Sequence, residues 1–293
     1  MNYGRGDLVM NFDYQLAFSR NCGVVSESEQ QKLCGATFAI AGLGGVGGDY
    51  LITLLRAGVG KFKIADHDDF ELANFNRQYG ATVSAIGRSK ISVMQSLSVD
   101  VNPQAVVEAY DSGIGSHNIA EFLEGVDVVI DAVEFFEIGV HRMLFDECMS
   151  RGIPVVFGVP LGFGASVVIG ASGGMSFDEY FDIDINASPA LQALKMAIGV
   201  APAGYHLNYL EPGAVDLGAR KAPSFSSGCK LASGMVIGKA VQAFLHPDEI
   251  RPLPHFTSYD VRLDSFKTGY LFMGNRNPWQ RFKFFLARKK LGL

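Results

Sequence analysis

Strand-like and helix-like patterns of hydrophobic residues alternate in the first half of the chain. The apolar run 37–44 is typical of a buried strand, and residues 47–57 then carry apolar side chains at helical spacing. Gly58 and Gly60 mark the end of that helix, and the segment 61–70 opens with a second strand pattern. These residues predict a β-α-β unit with a glycine-rich turn after its first strand.

The alternation continues to about residue 160. Further helices are predicted at about 90–101, 117–123 and 140–150, and further strands at 105–112, 127–133 and 155–160. Strands that alternate with helices of this length pair in parallel through right-handed crossovers. The sequence therefore predicts an α/β fold of the doubly wound, Rossmann-like class, with a mainly parallel sheet and helices on both faces.

The pattern loosens beyond Ser176. Residues 177–213 mix acidic, proline and glycine positions without a clean period, which favours a loop-rich segment. A helix returns at 231–245, before further strand-like residues. We predict four parts: an N-terminal helical segment, a Rossmann-like core, a crossover region with its return helix, and C-terminal strands with a basic tail helix. Their respective bounds are 1–34, 35–175, 176–250 and 251–293.

Composition excludes several classes of protein. The 293 residues are 48% hydrophobic and 19% charged, so the chain can bury a sizeable core. Its formal net charge of -5 lacks the basic excess of a dedicated nucleic-acid binder, and we expect no nucleic-acid partner. Four widely separated cysteines without a CxxC pair indicate reduced thiols in a cytoplasmic protein, with no zinc expected.

The sequence pattern predicts neither export nor a membrane-spanning segment. Residues 1–15 carry charges and no continuous apolar core, so they do not resemble a secretory signal. Residues 153–175 contain no charged side chain, but prolines and glycines interrupt them repeatedly. We expect short buried strands there and no membrane span.

A glycine loop follows the first predicted strand. Gly42, Gly44 and Gly47 match the GxGxxG pattern between a strand and a helix, where backbone N–H groups bind phosphate. Asp66 ends the second predicted strand, in position to accept hydrogen bonds from a ribose. A nucleotide is the natural ligand, although a glycine turn that merely permits close packing is the alternative.

Polar and cationic side chains accompany that loop. Asn74, Arg77, Gln78 and Lys90 would suit a highly charged triphosphate, whereas Arg77 or Lys90 taken singly is more often a solvated surface charge. Asp131 ends a predicted parallel strand, where it could hold Mg²⁺ or only cap the next turn. Their joint placement favours a nucleotide site.

Together these residues resemble the ThiF/MoeB adenylyltransferases of the HesA/MoeB/ThiF superfamily, which are similar to the adenylation domains of ubiquitin-activating enzymes. The resemblance covers roughly residues 15–160. It consists of GLGGVG at 42–47, Asp66-x-Asp68, Asn74-x-x-Arg77-Gln78, a GxxK string ending in Lys90, and the strand-end Asp131. The core at 35–175 is by this resemblance an ATP-binding adenylation core.

The resemblance implies a role for each matching residue. Arg77 and Lys90 would stabilise the ATP phosphates, Asp131 would bind Mg²⁺, and Asp66 would hold the ribose. Arg20 would reach the ATP of a neighbouring subunit, which implies a homodimer. The implied nucleotide-binding set is Gly42, Gly44, Gly45, Gly47, Asp66, Asp68, Asn74, Arg77, Gln78 and Lys90.

The implied reaction is ATP-dependent activation of a carboxylate. A substrate carboxylate would attack the ATP α-phosphate and give an acyl adenylate and pyrophosphate, with MgATP as cosubstrate. The substrate would be the C-terminus of a ubiquitin-like or sulfur-carrier protein, a peptide, or a small-molecule carboxylate.

Departures from the family pattern leave alternatives open. Residues 131–135 lack the threonine and the Asp-Asn pair of many members. Residues 170–200 contain no cysteine that could form a thioester. Cys229 is therefore either a nucleophile or a small buried residue. An NAD(P)-dependent oxidoreductase would explain the glycine loop and Asp66 but not the cations. A non-catalytic, activating-enzyme-like scaffold is the second alternative.

The tail at 277–293 combines aromatic and basic residues. It is either an amphipathic helix that binds a partner or a membrane surface, or a terminal helix that packs its aromatics on the body.

Overall fold

A computed structural model describes residues 11–211 and 213–293. The N-terminal residues 1–10, for which the sequence predicts no secretory signal, and residue 212 lie outside the described part.

One mixed sheet runs through the described chain. Its eight strands lie in the order β3-β2-β1-β4-β5-β6-β7-β8. Their bounds are β1 Thr37–Ala41, β2 Lys61–Ala65, β3 Val106–Tyr110, β4 Val128–Asp131, β5 Val155–Leu161, β6 Gly164–Gly170, β7 His255–Asp260 and β8 Ser265–Tyr270. Strands β1 to β5 pair in parallel, and β5 to β8 pair antiparallel.

Helices cover both faces of this sheet. Those of more than one turn are α1 Tyr14–Ala17, α2 Glu27–Gly35, α3 Gly47–Arg56, α4 Lys90–Val101, α5 Ile119–Phe122, α6 Ile138–Ser150, α7 Phe177–Phe181, α8 Pro189–Val200, α9 Ser226–Leu245 and α10 Pro278–Leu291. Short 3-10 turns lie at Ser19–Asn21, Leu72–Asn74, Val83–Ala85, Tyr205–Asn208, Pro247–Glu249 and Gly274–Arg276. The predicted fold class is confirmed.

Alternate residues of each central strand point into two cores. Phe38 and Ile40 of β1 join the core under α3, α4 and α9, whereas Ala39 and Ala41 join the core under α5 to α8. This alternation buries the central strands on both sides, as a parallel sheet with crossover helices requires.

Register brings three strand ends to one level. Ala41 lies opposite both Ala65 of β2 and Asp131 of β4. The turns that follow these strands therefore emerge side by side at the carboxyl edge of the sheet, where ligands bind in open α/β folds.

The segment after Ser176 contains more helix than the sequence predicted. Ser176 and Glu179 form a capping box at the start of α7, and Ser188 caps α8 with Pro189 in its first turn. Both caps are local helix signals that the mixed composition of the segment obscured. The loop-rich prediction was wrong for these two stretches.

The uncharged stretch 153–175 forms β5 and β6, as predicted. Among the residues that the structure covers, no helix has both the length and the apolar character needed to cross a membrane.

Candidate active site

The glycine loop passes directly over the end of β4. Gly42 has a φ of +99°, and a Cβ at this position would overlap the carbonyl oxygen of Ala132. A Cβ at Gly47 would overlap the carbonyl oxygen of Gly42. Only glycine fits at these two positions, and the loop is consequently held in a single tight turn.

Helix α3 begins in this turn without a side-chain cap. Val46 occupies the cap position and has no acceptor group, whereas Ser26, Ser89 and Ser188 each accept a hydrogen bond at the start of their helices. The first N–H groups of α3 have no side-chain partner at that cap. They provide the oriented donors and partial positive charge that bind phosphate.

Asp66 ties the second strand to the glycine loop. Its Oδ2 accepts a hydrogen bond from the Leu43 N–H at 2.6 Å, and its Oδ1 accepts one from the Asp68 N–H at 2.9 Å. The side chain is buried. Asp66 thus fixes the loop in addition to lying where the sequence placed a ribose acceptor.

Lys90 is buried between two carboxylates. Its Nζ lies 2.7 Å from Asp68 Oδ2 and 3.9 Å from Asp66 Oδ1. Partial burial of Asp68 raises the pKa of its carboxyl, but the hydrogen bond and the charge of Lys90 outweigh this and hold that pKa below its usual value. An ammonium group has three N–H donors, so Lys90 keeps a donor for a phosphate, but its charge is largely compensated by the two carboxylates.

Arg77 and Gln78 lie against the glycine loop. The Asn74 carbonyl accepts hydrogen bonds from the N–H groups of both residues, which turns the chain toward the loop. Arg77 Nε is 3.7 Å from the position of a Cβ on Gly45, and Gln78 Nε2 is 3.9 Å from that on Gly44. The structure therefore brings the predicted cation and amide together with the predicted phosphate loop.

Two features distinguish these side chains. Arg77 is half-buried, and its Nη1 donates to Asn76 Oδ1 at 2.8 Å and to the Ala73 carbonyl at 3.2 Å. Gln78 is buried, and its Oε1 has no hydrogen-bond partner in the described part of the chain. A buried acceptor left unpaired is costly, so a donor from a bound ligand would satisfy it.

Asp131 has a partner that sequence reasoning missed. Its Oδ2 lies 2.6 Å from His141 Nδ1, and its Oδ1 accepts a hydrogen bond from the Val133 N–H at 3.1 Å. Both side chains are fully buried. His141 Nε2 lies 3.2 Å from the Glu134 carbonyl oxygen, so the imidazole links Asp131 to the backbone that follows β4. The only sequence signal was a lone histidine on the inner face of the predicted helix at 140–150.

Only one carboxylate oxygen of Asp131, Oδ1, could coordinate a magnesium ion. Oδ2 is engaged by His141, whereas Oδ1 keeps a lone pair besides the one used by Val133. Within residues 11–211 and 213–293, no group of three or more His, Cys, Asp or Glu side chains could hold a metal ion. A Mg²⁺ ion that arrives on nucleotide phosphates needs only one or two protein carboxylates, so its ligand chemistry is compatible with Oδ1.

Arg20 lies away from the glycine loop of its own chain. The adjacent Asn21 donates to the Ala57 carbonyl at 3.2 Å, at the far end of α3. A helix of ten residues is about 15 Å long. The Arg20 side chain is exposed, and it forms no ion pair with another residue of 11–211 or 213–293.

The return helix α9 closes one side of the site. Lys230 forms an ion pair with Asp49 of α3 and lies 5.0 Å from the centre of the Tyr79 ring. Cys229 is fully buried, and burial raises the pKa of its thiol. That environment disfavours the thiolate, so the nucleophile alternative for Cys229 gains no support.

Comparison with known proteins identifies the family. Residues 18–276 match the ThiF family. The chain belongs to the ThiF family. The resemblance recognised in the sequence is thereby confirmed.

Two curated relatives of this ThiF-family chain carry different names. A tRNA threonylcarbamoyladenosine dehydratase of Bacillus subtilis (strain 168) is 34% identical over 140 residues, which cover 47% of this chain and 54% of the relative. A sulfur carrier protein adenylyltransferase of Thermus thermophilus is 32% identical over 145 residues, covering 50% and 53%. The chain spans about half the length of these relatives.

Solved structures show the same fold. PaaA superposes with a TM-score of 0.65 at 16% identity, covering 92% of this chain and 76% of PaaA. The E. coli dehydratase TcdA in complex with AMP superposes with a TM-score of 0.59 at 20% identity, covering 81% of this chain and 97% of TcdA. At these identities the likeness concerns the fold alone.

The packing of the glycine loop predicts different effects on stability for alanine at Gly47 and at Gly45. Gly47→Ala should lower the free energy of unfolding by about 1–3 kcal/mol, because its Cβ would overlap backbone. Gly45→Ala should change it by less than about 0.5 kcal/mol, because its Cβ would meet only Arg77 at 3.7 Å. Urea unfolding of the two variants measures both, and equal losses would contradict the described loop.

The contact between Lys90 and Asp68 should appear in the pH dependence of stability. The folded-state pKa of Asp68 is lowered, so its contribution to stability is present above the unfolded value of about 3.9 and is lost as the pH falls through the folded value. Below about pH 4 we expect wild type to lose stability more steeply than Asp68→Asn. Asp69→Asn, which alters an exposed neighbour, is the control and should follow wild type. Identical slopes for wild type and Asp68→Asn would refute the contact.

Proposed function

We propose that this chain is an ATP-dependent adenylyltransferase that activates a substrate carboxylate. The observation that carries the proposal is the position of Arg77 and Gln78 against a glycine loop whose helix lacks a side-chain cap. A triphosphate needs cationic and amide donors such as Arg77 and Gln78 beside its phosphates, whereas the glycine loop and the helix N-terminus are enough for the pyrophosphate of a dinucleotide. The name of the Thermus thermophilus relative supports this reaction, and the AMP complex of TcdA supports an adenine nucleotide.

The reaction requires positioning more than a protein nucleophile. A carboxylate oxygen attacks the α-phosphorus, the bond from that phosphorus to the bridging oxygen breaks, and pyrophosphate leaves with the bonding electrons. The α3 N-terminus would hold phosphate oxygens in place, and Arg77 would neutralise negative charge that increases on the leaving group.

Magnesium is part of this proposal. When bound, Mg²⁺ neutralises phosphate charge and orients the leaving group. Asp131 would hold it through Oδ1, since His141 engages the other oxygen and fixes the rotation of the carboxylate. His141 therefore acts through Asp131 as a positioning residue.

The substrate and the assembly are also proposals. Relatives named as sulfur carrier protein adenylyltransferase and as adenylyltransferase and sulfurtransferase MOCS3 favour the C-terminus of a ubiquitin-like or sulfur-carrier protein, with a peptide or a small carboxylate as other options. We propose a homodimer in which Arg20 serves the site of the partner subunit, because it lies at the far end of α3 from its own glycine loop. A cytoplasmic location, where ATP is abundant, completes the proposal.

The proposed reaction can be followed by exchange of labelled pyrophosphate into ATP. With MgATP and a panel of carboxylates that includes ubiquitin-like C-terminal peptides, wild type should show carboxylate-dependent exchange. Arg77→Gln should slow it about 10- to 100-fold, because a charge-assisted contact with phosphate is lost. Arg88→Gln removes an exposed cation of the same region and should leave the rate unchanged. Exchange that is equally fast in both variants would contradict the role of Arg77.

The homodimer proposal predicts complementation between two defective variants. Arg20→Ala and Arg77→Gln should each be slow alone. After subunit exchange in an equal mixture, half of the dimers pair one variant with the other and contain one intact site, so about a quarter of wild-type activity should return. No recovery from a mixture shown to contain mixed dimers would rule out Arg20 acting in the partner subunit.

A further inference from the structure

The C-terminal part of the chain has a charge unlike the rest. Residues 265–293 contain seven lysines and arginines and no aspartate or glutamate, although the whole chain has a net charge of -5. They include β8 and helix α10, which lie outside the nucleotide site. Arg276 forms an ion pair with Asp182, and the remaining cations make this part of an acidic protein locally positive.

One stripe of α10 attaches it to the body. Gln280 is buried, and its Nε2 donates to the Ile198 carbonyl at 2.9 Å. Phe284 and Ala287 pack against Leu194 of α8 and its neighbours. The spacing of 280, 284 and 287 defines the inner face of the helix.

The opposite face of α10 is apolar and exposed. Trp279, Phe282, Phe285 and Leu286 are 71%, 49%, 62% and 48% exposed. Their spacing places them together on the side of the helix away from the body. The sequence left two alternatives for the aromatic tail residues, packing on the body or binding a partner. These four side chains do not pack on the body but are exposed.

Basic residues flank this apolar face on both sides. At 100° per residue, Arg281 and Arg288 lie along one border and Lys290 lies along the other. Lys283 shares the border of Lys290, but its Nζ donates to the Pro202 carbonyl at 2.8 Å and is directed toward the body. Lys289 lies within the outward face. The helix therefore has an outward apolar centre with cationic borders, which is the arrangement of helices that lie in a membrane interface.

We propose that α10 docks this protein on the surface of an anionic lipid bilayer. The apolar side chains would enter the boundary between headgroups and acyl chains, and the flanking cations would contact lipid phosphates. Charge complementarity selects this partner over a second copy of the chain, because an isologous contact would bring two cationic surfaces together. The proposal is independent of the adenylation reaction.

The only tryptophan of the chain, Trp279, reports directly on this docking. With vesicles of phosphatidylcholine and phosphatidylglycerol we expect its emission to shift to shorter wavelength and the full-length protein to float with the vesicles. Vesicles of phosphatidylcholine alone should give neither effect, and about 1 M salt should release the protein from the anionic vesicles.

Variants separate the apolar and the electrostatic contributions. Phe282→Ser/Phe285→Ser and Lys289→Glu/Lys290→Glu should each reduce flotation at least about tenfold. Phe266→Ser, another exposed aromatic, and Lys32→Glu/Lys61→Glu, two exposed lysines elsewhere, are the matched controls and should float like wild type. Because the altered side chains are exposed, thermal unfolding of all variants should remain close to wild type, which separates lost docking from lost folding.

Several results would overturn the proposal. An unshifted Trp279 emission with anionic vesicles, or equal binding to neutral vesicles, would do so. A shift with soluble polyglutamate but not with vesicles would assign the surface to an acidic protein. Self-association that Phe282→Ser/Phe285→Ser abolishes, without vesicle binding, would assign it to a second copy.

Discussion

The close approach of the glycine loop to the end of β4 is the constraint on which the site depends. Gly42 and Gly47 have no room for a Cβ, and the Asp66 carboxylate holds the Leu43 N–H at 2.6 Å. These contacts join the ends of the first, second and fourth strands into one rigid turn. The uncapped N-terminus of α3 is consequently fixed in direction before any ligand binds, which is what electrostatic stabilisation of a reacting phosphate requires.

The two cationic side chains near this turn, Lys90 and Arg77, differ in whether the protein already neutralises their charge. Lys90 is buried and paired with Asp68, so its charge is largely balanced within the protein. Arg77 is half-buried and, among residues 11–211 and 213–293, its side chain bonds only neutral oxygens, so its charge remains for a ligand. Two cations that look equivalent in sequence therefore differ: the charge of Arg77 is available to a phosphate, whereas most of the charge of Lys90 is already balanced by carboxylates.

Local patterns were sufficient to predict the sheet core but not its contacts. The strand at 37–44, the helix at 47–57 and the glycine loop follow from periodicity and turn residues, and the structure contains them. The pairing of Asp131 with His141 joins residues on a strand and a helix whose packing no local signal specifies. Helices α7 and α8 were missed because their caps lie within a composition that favours loops. The side of α10 that stays exposed likewise depends on tertiary packing.

The most direct test of a triphosphate site at the glycine loop is its selectivity between nucleotides. Titration calorimetry of the purified protein with ATP and Mg²⁺, and separately with NAD and NADP, compares a triphosphate with the dinucleotides that a similar glycine loop can bind. We expect MgATP binding in the micromolar range and little heat from either dinucleotide. Tight binding of NAD or NADP with no response to MgATP would contradict it, because the positions of Arg77 and Gln78 would then have no triphosphate to explain them.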